Sequence, residues 1–371
     1  MPLSETERLR YSRHLLLGEV GLEGQQRLRA ARVLIVGAGG LGSPAALYLT
    51  AAGVGRIGLI DGDHVDLSNL QRQILFDSAS IGAPKAETAR RRLLQLNPEI
   101  EVIAHAEELR AANAAQLLAQ YDLVLDGSDR LTTRYLVNDA CVLHRKPLVS
   151  AAVHRFEGQA MSYVPGQGPC YRCLFSSNSE GLVPNCAEAG VLGVLPGVMG
   201  TLQATEAIKL ITGIGTPLVG RLLTYDALEL RFREFRFARR DDCAVCGDHP
   251  TITTLQDAPE LCAADIAGLQ QYTAAQLQQL LGDPRRAAEL CLIDVRDASE
   301  YASGHLRQSC NIPLAELSTR LMEFRGPGQP VFVCLSGIRS LRACALAVAG
   351  GIQRPGHLIG GLRLWTGPLA T

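Results

Sequence analysis

Three sets of residues in this chain have the types and spacing to do chemistry. The first is Cys334-Leu335-Ser336-Gly337-Ile338-Arg339-Ser340, which follows the apolar run Val331-Phe332-Val333. Backbone N–H groups of a loop between a strand and a helix point inward, toward an anion held on the cysteine. The helix N-terminus and Arg339 favour the thiolate. A buried core cysteine is the bland alternative, and the strand-end position, Gly337 and Arg339 speak against it. A tyrosine-phosphatase loop is C-x-x-x-x-x-R, and here the arginine comes one residue sooner. The cradle is therefore smaller and suits a terminal sulfur better than a phosphoryl group.

The second set is two C-x-x-C pairs, Cys170/Cys173 and Cys243/Cys246. Four thiolates make a closed tetrahedral zinc site of the structural kind. The pairs stand 243 − 173 = 70 positions apart, far more than in a compact zinc ribbon, so spacing alone is a modest signal. A redox C-x-x-C is the competitor, but neither pair sits in a thioredoxin-like setting.

The third set surrounds Gly37-Ala38-Gly39-Gly40-Leu41-Gly42, a G-x-G-x-x-G after the strand-like Val33–Val36 and before a helix expected from about Leu41 to Ala52. Strand, glycine turn and helix N-terminus together bind nucleotide phosphates. Asp61 lies 61 − 42 = 19 residues past the last glycine, where an acid reaches a ribose hydroxyl. The fingerprint leaves NAD, FAD and ATP open. Asp61, Asp63, Asn69, Arg72, Lys85 and Asp129 follow strand ends, where ligands of doubly wound sheets bind. Two cations and a spare carboxylate suit a triphosphate with Mg²⁺ better than hydride transfer. Cys186, in the polar loop Val183–Glu188, is a further candidate reactive thiol; the other cysteines read as structural.

The elements that must position these groups alternate. Strands are expected at Arg56–Ile60, Glu101–Ala104, Asp122–Asp126 and Pro147–Ala152. Helices are expected at 5–30, from Lys85 to about Gln95, at Ala111–Gln120 and at Leu131–His144. This is a parallel sheet covered by helices on both faces. An antiparallel strand, Gln159–Val164, a helix, Leu202–Ile211, and strands within Arg221–Phe237 extend it. The expected fold class is α/β: a Rossmann-like doubly wound sheet with an antiparallel extension and zinc site, then a small α/β domain. The expected domains are 1–248, a linker 249–269, and 270–371, where Thr273 caps a helix running to Leu281 and Cys291–Arg296 is a strand.

The chain has 371 residues, 47% of them hydrophobic, and a net charge of −1. That balance gives no sign of bulk nucleic-acid or membrane binding, and the arginines of 231–240 read as a solvated strand edge. The acidic start is no signal peptide. The apolar run Ala189–Leu202 is broken by glycines and Pro196 and is too short to span a membrane. A cytoplasmic location is expected, so the eleven cysteines suggest metal or catalysis before disulfides.

Residues from about 8 to 248 resemble the MoeB/ThiF family, relatives of the ubiquitin-activating enzymes. The matching residues are Arg10–Arg13, Gly37–Gly42, Asp61-Gly62-Asp63, Ser68–Gln73, Lys85, Asp126–Asp129 and both C-x-x-C pairs. Residues from about 270 resemble a rhodanese domain, through Leu292–Arg296, Gly304-His305-Leu306, Asn311-Ile312-Pro313 and the Cys334 loop. The tandem is similar to adenylyltransferase/sulfurtransferase proteins of molybdopterin synthesis and tRNA thiolation.

The resemblance implies an enzyme acting on a ubiquitin-like sulfur carrier protein that ends in Gly-Gly. It would adenylate the terminal carboxylate with ATP and Mg²⁺, then transfer sulfur from a Cys334 persulfide. ATP would be bound by Gly39, Gly40, Asp61, Asp63, Ser68, Asn69, Leu70, Gln71, Arg72, Lys85, Asp129 and Arg130. Zn²⁺ would sit on the four cysteines. A homodimer would place Arg13 at the neighbouring subunit's phosphates. Cys186 would release the thiocarboxylate, and the sulfur donor would be a cysteine desulfurase or thiosulfate. The family has Asn where this chain has Arg130, which puts that nucleotide contact in question. The alternatives are an NAD-dependent oxidoreductase, which leaves Arg72, Lys85 and Cys334 without a role, and a non-catalytic scaffold that binds a ubiquitin-like partner.

Overall fold

β-Branched and aliphatic residues in unbroken runs form the centre of the first sheet, because a strand covered on both faces needs no polar side. The computed structural model describes residues 2–175, 190–257, 269–324 and 328–370. They divide into two compact units, the first holding the described residues up to 257 and the second those from 269.

The first unit opens with three helices, α1 (Glu5–Arg10), α2 (Ser12–Leu15) and α3 (Gly21–Ala30). The sequence suggests one helical stretch here. The break at Tyr11 has a cause: its hydroxyl accepts a hydrogen bond from Asn97 Nδ2 at 2.8 Å. Its ring also fills the space where a Cβ on Gly53 would lie, at 2.4 Å.

Then come β1 (Arg32–Val36), α4 (Gly42–Ala52), β2 (Arg56–Ile60), α5 (Lys85–Leu96), β3 (Glu101–His105), α6 (Ala111–Ala119), β4 (Leu123–Asp126), α7 (Leu131–Leu143) and β5 (Leu148–His154). The unit continues with β6 (Glu157–Tyr163), α8 (Tyr171–Leu174), α9 (Val194–Thr212), β7 (Arg221–Asp226) and β8 (Arg231–Arg236). The strand order is β3-β2-β1-β4-β5-β6-β7-β8. Pairing is parallel as far as β5 and antiparallel from β5 to β8. The order reverses at β1 and β4, so the ends of these two strands flank the switch point where ligands bind. β8 is exposed along its whole length, as a solvated edge should be.

Helix α9 starts at Val194, earlier than the Leu202 expected from the sequence. Pro196 does not break it, because proline in a first helical turn gives up an N–H that has no intrahelical partner. Gly200 has a packing role. A Cβ there would lie 2.3 Å from the Leu41 carbonyl oxygen, so the glycine lets α9 press onto the start of α4.

The stretch expected to begin the linker packs on the first unit. Thr251 and Ile252 N–H groups donate to the Ala244 carbonyl, and Ile252 and Leu255 pack against a core cluster under β4 and α7.

The second unit holds β9 (Gln270–Tyr272), α10 (Ala274–Leu281), α11 (Pro284–Ala287), β10 (Leu290–Asp294), α12 (Ala298–Ala302), β11 (Cys310–Asn311), α13 (Leu314–Arg320), β12 (Gln329–Val333), α14 (Ile338–Ala349) and β13 (Gly356–Leu358). Its parallel sheet has the order β11-β10-β12-β13-β9. Thr273 caps α10, with Gln276 completing a reciprocal capping pair. No helix among the described residues is long and apolar enough to cross a membrane.

Candidate active sites

The glycine turn after β1 is held by close backbone approaches. Gly37 has φ +88°, and a Cβ on Gly42 would lie 1.9 Å from the Gly37 carbonyl oxygen. Neither position tolerates a side chain. At the end of β2, Asp61 reaches back: its carboxylate accepts the Ala38 N–H at 2.8 Å and the Asp63 N–H at 2.9 Å. Burial pushes the Asp61 carboxyl above its ordinary range, and Lys85 opposes that shift. Lys85 is buried at the start of α5, and its Nζ lies 2.9 Å from Asp63 Oδ2.

Residues 68–73 form a turn against this crevice. Ser68 donates to Asp66 through both its N–H and its hydroxyl, and Asp66 N–H donates to Asn69 Oδ1. Leu70 packs on the core. The Arg72 guanidinium donates to the Ser68 carbonyl at 3.0 Å. Gln71 lies against Gly193 at the head of α9, and Gly40 faces Pro196 in its first turn, where a Cβ would come within 3.0 Å. Gly39 faces the Gln73 amide at 3.7 Å on the same measure. The glycine turn, the 68–73 turn and the start of α9 therefore meet. Arg13 is exposed on α2.

At the end of β4, Asp126 is fully buried and accepts three hydrogen bonds: Ser128 N–H at 3.0 Å, Ser128 Oγ at 2.6 Å and Ser150 Oγ at 3.0 Å. Arg134 Nε lies 3.4 Å from Asp126, and Arg134 Nη2 donates to the Ser128 carbonyl at 2.9 Å. This pair fixes the loop that presents Asp129, which is exposed. Sequence reading passed over Arg134; its position in the first turn of α7, on the strand-end side, was the available signal. Arg130 pairs with Glu108 at 3.3 Å.

The two C-x-x-C pairs converge. The four Sγ atoms all lie within 4.8 Å of one another. Sγ–Sγ distances are 4.0 Å for Cys170–Cys173, 3.7 Å for Cys170–Cys243 and 3.3 Å for Cys173–Cys246. Zn–S bonds of about 2.3 Å imply tetrahedron edges of about 3.8 Å, so the donor set fits zinc. Hydrogen bonding among the four crowded thiols pushes Cys170 and Cys246 above their ordinary values and Cys173 and Cys243 below them, and a metal cation would take the place of the shared protons. The cluster is tied to α7 by Arg172, which makes two hydrogen bonds to Asp139, at 2.7 and 2.8 Å, and lies over the Tyr135 ring.

In the second unit, Cys334 follows β12 and is fully buried. Its Sγ accepts the Gly337 N–H at 3.1 Å and the Ser340 N–H at 3.4 Å. Gly337, at φ +90°, turns the chain into α14. Ser340 Oγ lies 3.6 Å from this sulfur and 3.5 Å from His357 Nδ1. Arg339 is held chiefly by a carboxylate, with a smaller electrostatic pull from Cys334. Its guanidinium is clamped by Glu300, at 2.7 and 2.8 Å, and this contact raises Arg339 and lowers Glu300 from their ordinary values. Backbone N–H groups thus make the cradle, and Arg339 braces the loop from α12. Cys186 lies outside the described residues.

Comparison with known proteins accounts for both halves. The ThiF family matches residues 11–245, and the rhodanese-like domain matches residues 273–367.

The chain belongs to the ThiF family.

A sulfur carrier protein adenylyltransferase of Thermus thermophilus is 52% identical over 259 residues, covering 68% of this chain and 96% of that protein. A probable adenylyltransferase/sulfurtransferase MoeZ of Mycobacterium tuberculosis is 44% identical over 382 residues, 98% of this chain and 94% of the relative. Among solved structures, Escherichia coli MccB with ATP is 29% identical with a TM-score of 0.57, covering 66% of this chain and 75% of that one. This ThiF-family chain is an adenylyltransferase and sulfurtransferase.

Proposed function

We propose that the chain activates the C-terminal glycine carboxylate of a small ubiquitin-like carrier protein with ATP. It then converts that carboxylate to a thiocarboxylate with sulfur from a Cys334 persulfide. The observation that carries this reading is Cys334 Sγ facing two converging backbone N–H groups on a chain that also bears a glycine-turn crevice. Residues 1–248 would do the first step and residues 270–371 the second.

A C-terminal carboxylate is already ionised and needs no general base to attack the α-phosphate. It needs its repulsion with the triphosphate cancelled. Lys85 and Arg72 supply cations from this crevice, and Arg13 would supply one to a second copy's crevice in a homodimer. Asp61 fits the ribose hydroxyls. Gly39 and Gly40 and the 68–71 turn line the nucleotide. Magnesium, a hard cation suited to the exposed carboxylate of Asp129, would offset phosphate charge. Arg130, drawn to Glu108, contributes little.

In the second step the terminal sulfur of the Cys334 persulfide attacks the acyl-adenylate carbon and AMP leaves. The product is an acyl disulfide between carrier and Cys334. A second thiol, assigned to Cys186, attacks the Cys334 sulfur and releases the thiocarboxylate. A Cys186–Cys334 disulfide remains, and a cellular thiol reduces it. Thiosulfate or a cysteine desulfurase would reload Cys334. The four-cysteine site would hold structural zinc. A reducing, cytoplasmic setting suits this thiol chemistry, and the product would serve molybdopterin synthesis, tRNA thiolation or both.

The test is mass spectrometry of Gly-Gly-terminated carriers incubated with the protein, ATP and thiosulfate. Exchange of one carrier oxygen for sulfur, dependent on ATP and lost in Cys334→Ala, is the expected result. AMP transfer that proceeds without any sulfur exchange in the parent protein overturns the second step.

A further inference from the structure

Two cysteines of the second unit take no part in the chemistry above. Cys291 lies on β10 and is half-buried; Cys310 lies on β11 and is exposed. The strands pair in parallel with Ile293 opposite Cys310. Side chains two apart on a strand share a face, so Cys291, two residues before Ile293, points the same way as Cys310. The Cys310 sulfur is drawn inward: its thiol donates to the Leu292 carbonyl at 3.6 Å, which sets it over β10 beside Cys291. The two thiols are near enough to shift one another's ionisation in opposite directions. Cys291 opposes Pro330 near the start of β12, whereas Cys334 follows the far end of that strand, so this pair is separate from the Cys334 cradle.

We propose that Cys291 and Cys310 form a redox-active dithiol that closes to an intramolecular disulfide by exchange with a low-molecular-weight disulfide such as glutathione disulfide. The Cys291 thiolate attacks one glutathione sulfur and a glutathione thiolate leaves. The Cys310 thiol loses its proton to solvent and attacks the Cys291 sulfur of the mixed disulfide. The second glutathione leaves as a thiol. Two protein thiols are oxidised and one glutathione disulfide is reduced to two thiols.

The roles follow from the surroundings. The nearby Cys310 thiol lowers Cys291 to about 7, and Cys291 in turn raises Cys310. Cys291 is therefore the attacking group near neutral pH, and Cys310 resolves. A disulfide needs Cα atoms within about 7 Å. β11 is a two-residue edge strand held to β10 by two ladder pairs, the element of this sheet with the least pairing to lose in adjusting.

The experiment uses the full-length, fully reduced protein, exposed to glutathione disulfide, blocked with iodoacetamide and digested with trypsin without reduction. Cleavage at Arg286, Arg296, Arg307 and Arg320 puts the two cysteines on separate peptides, 287–296 and 308–320. The expected product is these two peptides cross-linked, with the link lost on dithiothreitol treatment. Cys310→Ser should stall at a stable glutathione adduct on Cys291, and Cys291→Ser should abolish the cross-link. A lasting glutathione adduct on Cys291 of the parent protein, or both cysteines carrying iodoacetamide after such treatment, overturns the proposal. Neither readout depends on carrier activation, so the proposal stands or falls apart from the function assigned above.

Discussion

Replacing Arg134 by Met tests whether the buried pair at the end of β4 sets the adenylation crevice. Breaking a buried ion pair by removing one partner costs about 3–5 kcal/mol, because the other charge stays buried. Asp126 keeps its three hydrogen bonds from Ser128 and Ser150, which offset part of that loss, so the low end applies: about 3 kcal/mol. Domains are stable by roughly 5–15 kcal/mol, so the variant should fold but unfold at clearly lower urea. The single tryptophan, Trp365, lies in the second unit and gives an internal control. The circular-dichroism transition of the first unit should move while the Trp365 fluorescence transition stays. The Ser128 carbonyl also loses its Arg134 donor, so Asp129 shifts, and carrier-dependent ATP/pyrophosphate exchange should fall at least about tenfold, equivalent to ~1.4 kcal/mol. Adding Asp126→Asn removes the stranded charge and should restore roughly half of the stability without restoring exchange. A loss under about 1 kcal/mol, or a double variant less stable than Arg134→Met, would refute the buried-charge reasoning.

Other consequences are as direct. Lys85→Met should abolish ATP/pyrophosphate exchange while sparing thiosulfate sulfurtransfer, since Lys85 lies in the first unit and Cys334 in the second; loss of both activities would contradict the proposed division of labour. Purified protein should contain one zinc per chain by elemental analysis, and Cys243→Ser should lower both zinc content and melting temperature, because metal-binding free energy is also folding free energy. Burial lowers His357 from the usual 6.5, against a smaller opposing pull from Gly337. The unfolded chain therefore takes up the proton first, and stability should fall as pH drops below about 6.5. His357→Gln should flatten that decline in melting temperature, and an unchanged slope would show that another group causes it.

Much of the fold could be read from the sequence because local and global signals agree. The runs Val33–Val36 and Leu123–Asp126 are buried strands, and the glycine turn at 37–42 sits between strand and helix as its spacing implies. The start of α9 was harder to see, since Pro196 and its neighbouring glycines look like breakers until the N-terminal turn and the close approach to Leu41 are known. The direction of Arg339 was also hidden. Its partner Glu300 lies 39 positions away, and no local spacing reports whether a loop arginine faces its own cysteine or a distant carboxylate. Arg134 escaped for the same reason, because the charge that gives it meaning, Asp126, is read in the strand as one more element of the buried run. The cysteine pairs were legible as ligands, but their convergence needed the antiparallel strands β6 to β8 to bring the chain back.

That return has a mechanical meaning. Cys170 and Cys243 lie 73 positions apart in sequence and 3.7 Å apart in space, so a metal on the four thiolates would rivet together the two ends of a long excursion of the chain. Closing a loop of that length removes roughly 4 kcal/mol of conformational freedom from the unfolded chain if the rivet holds there too. The rivet would add to the packing of α9 on α4 and to the pairing of β7 with β6, which already hold this part of the chain in the sheet. A protease cut between the two cysteine pairs would leave one molecule in two covalent pieces, clasped at the cysteines as well as along the β6–β7 ladder, and stripping the metal would remove the first of these two clasps.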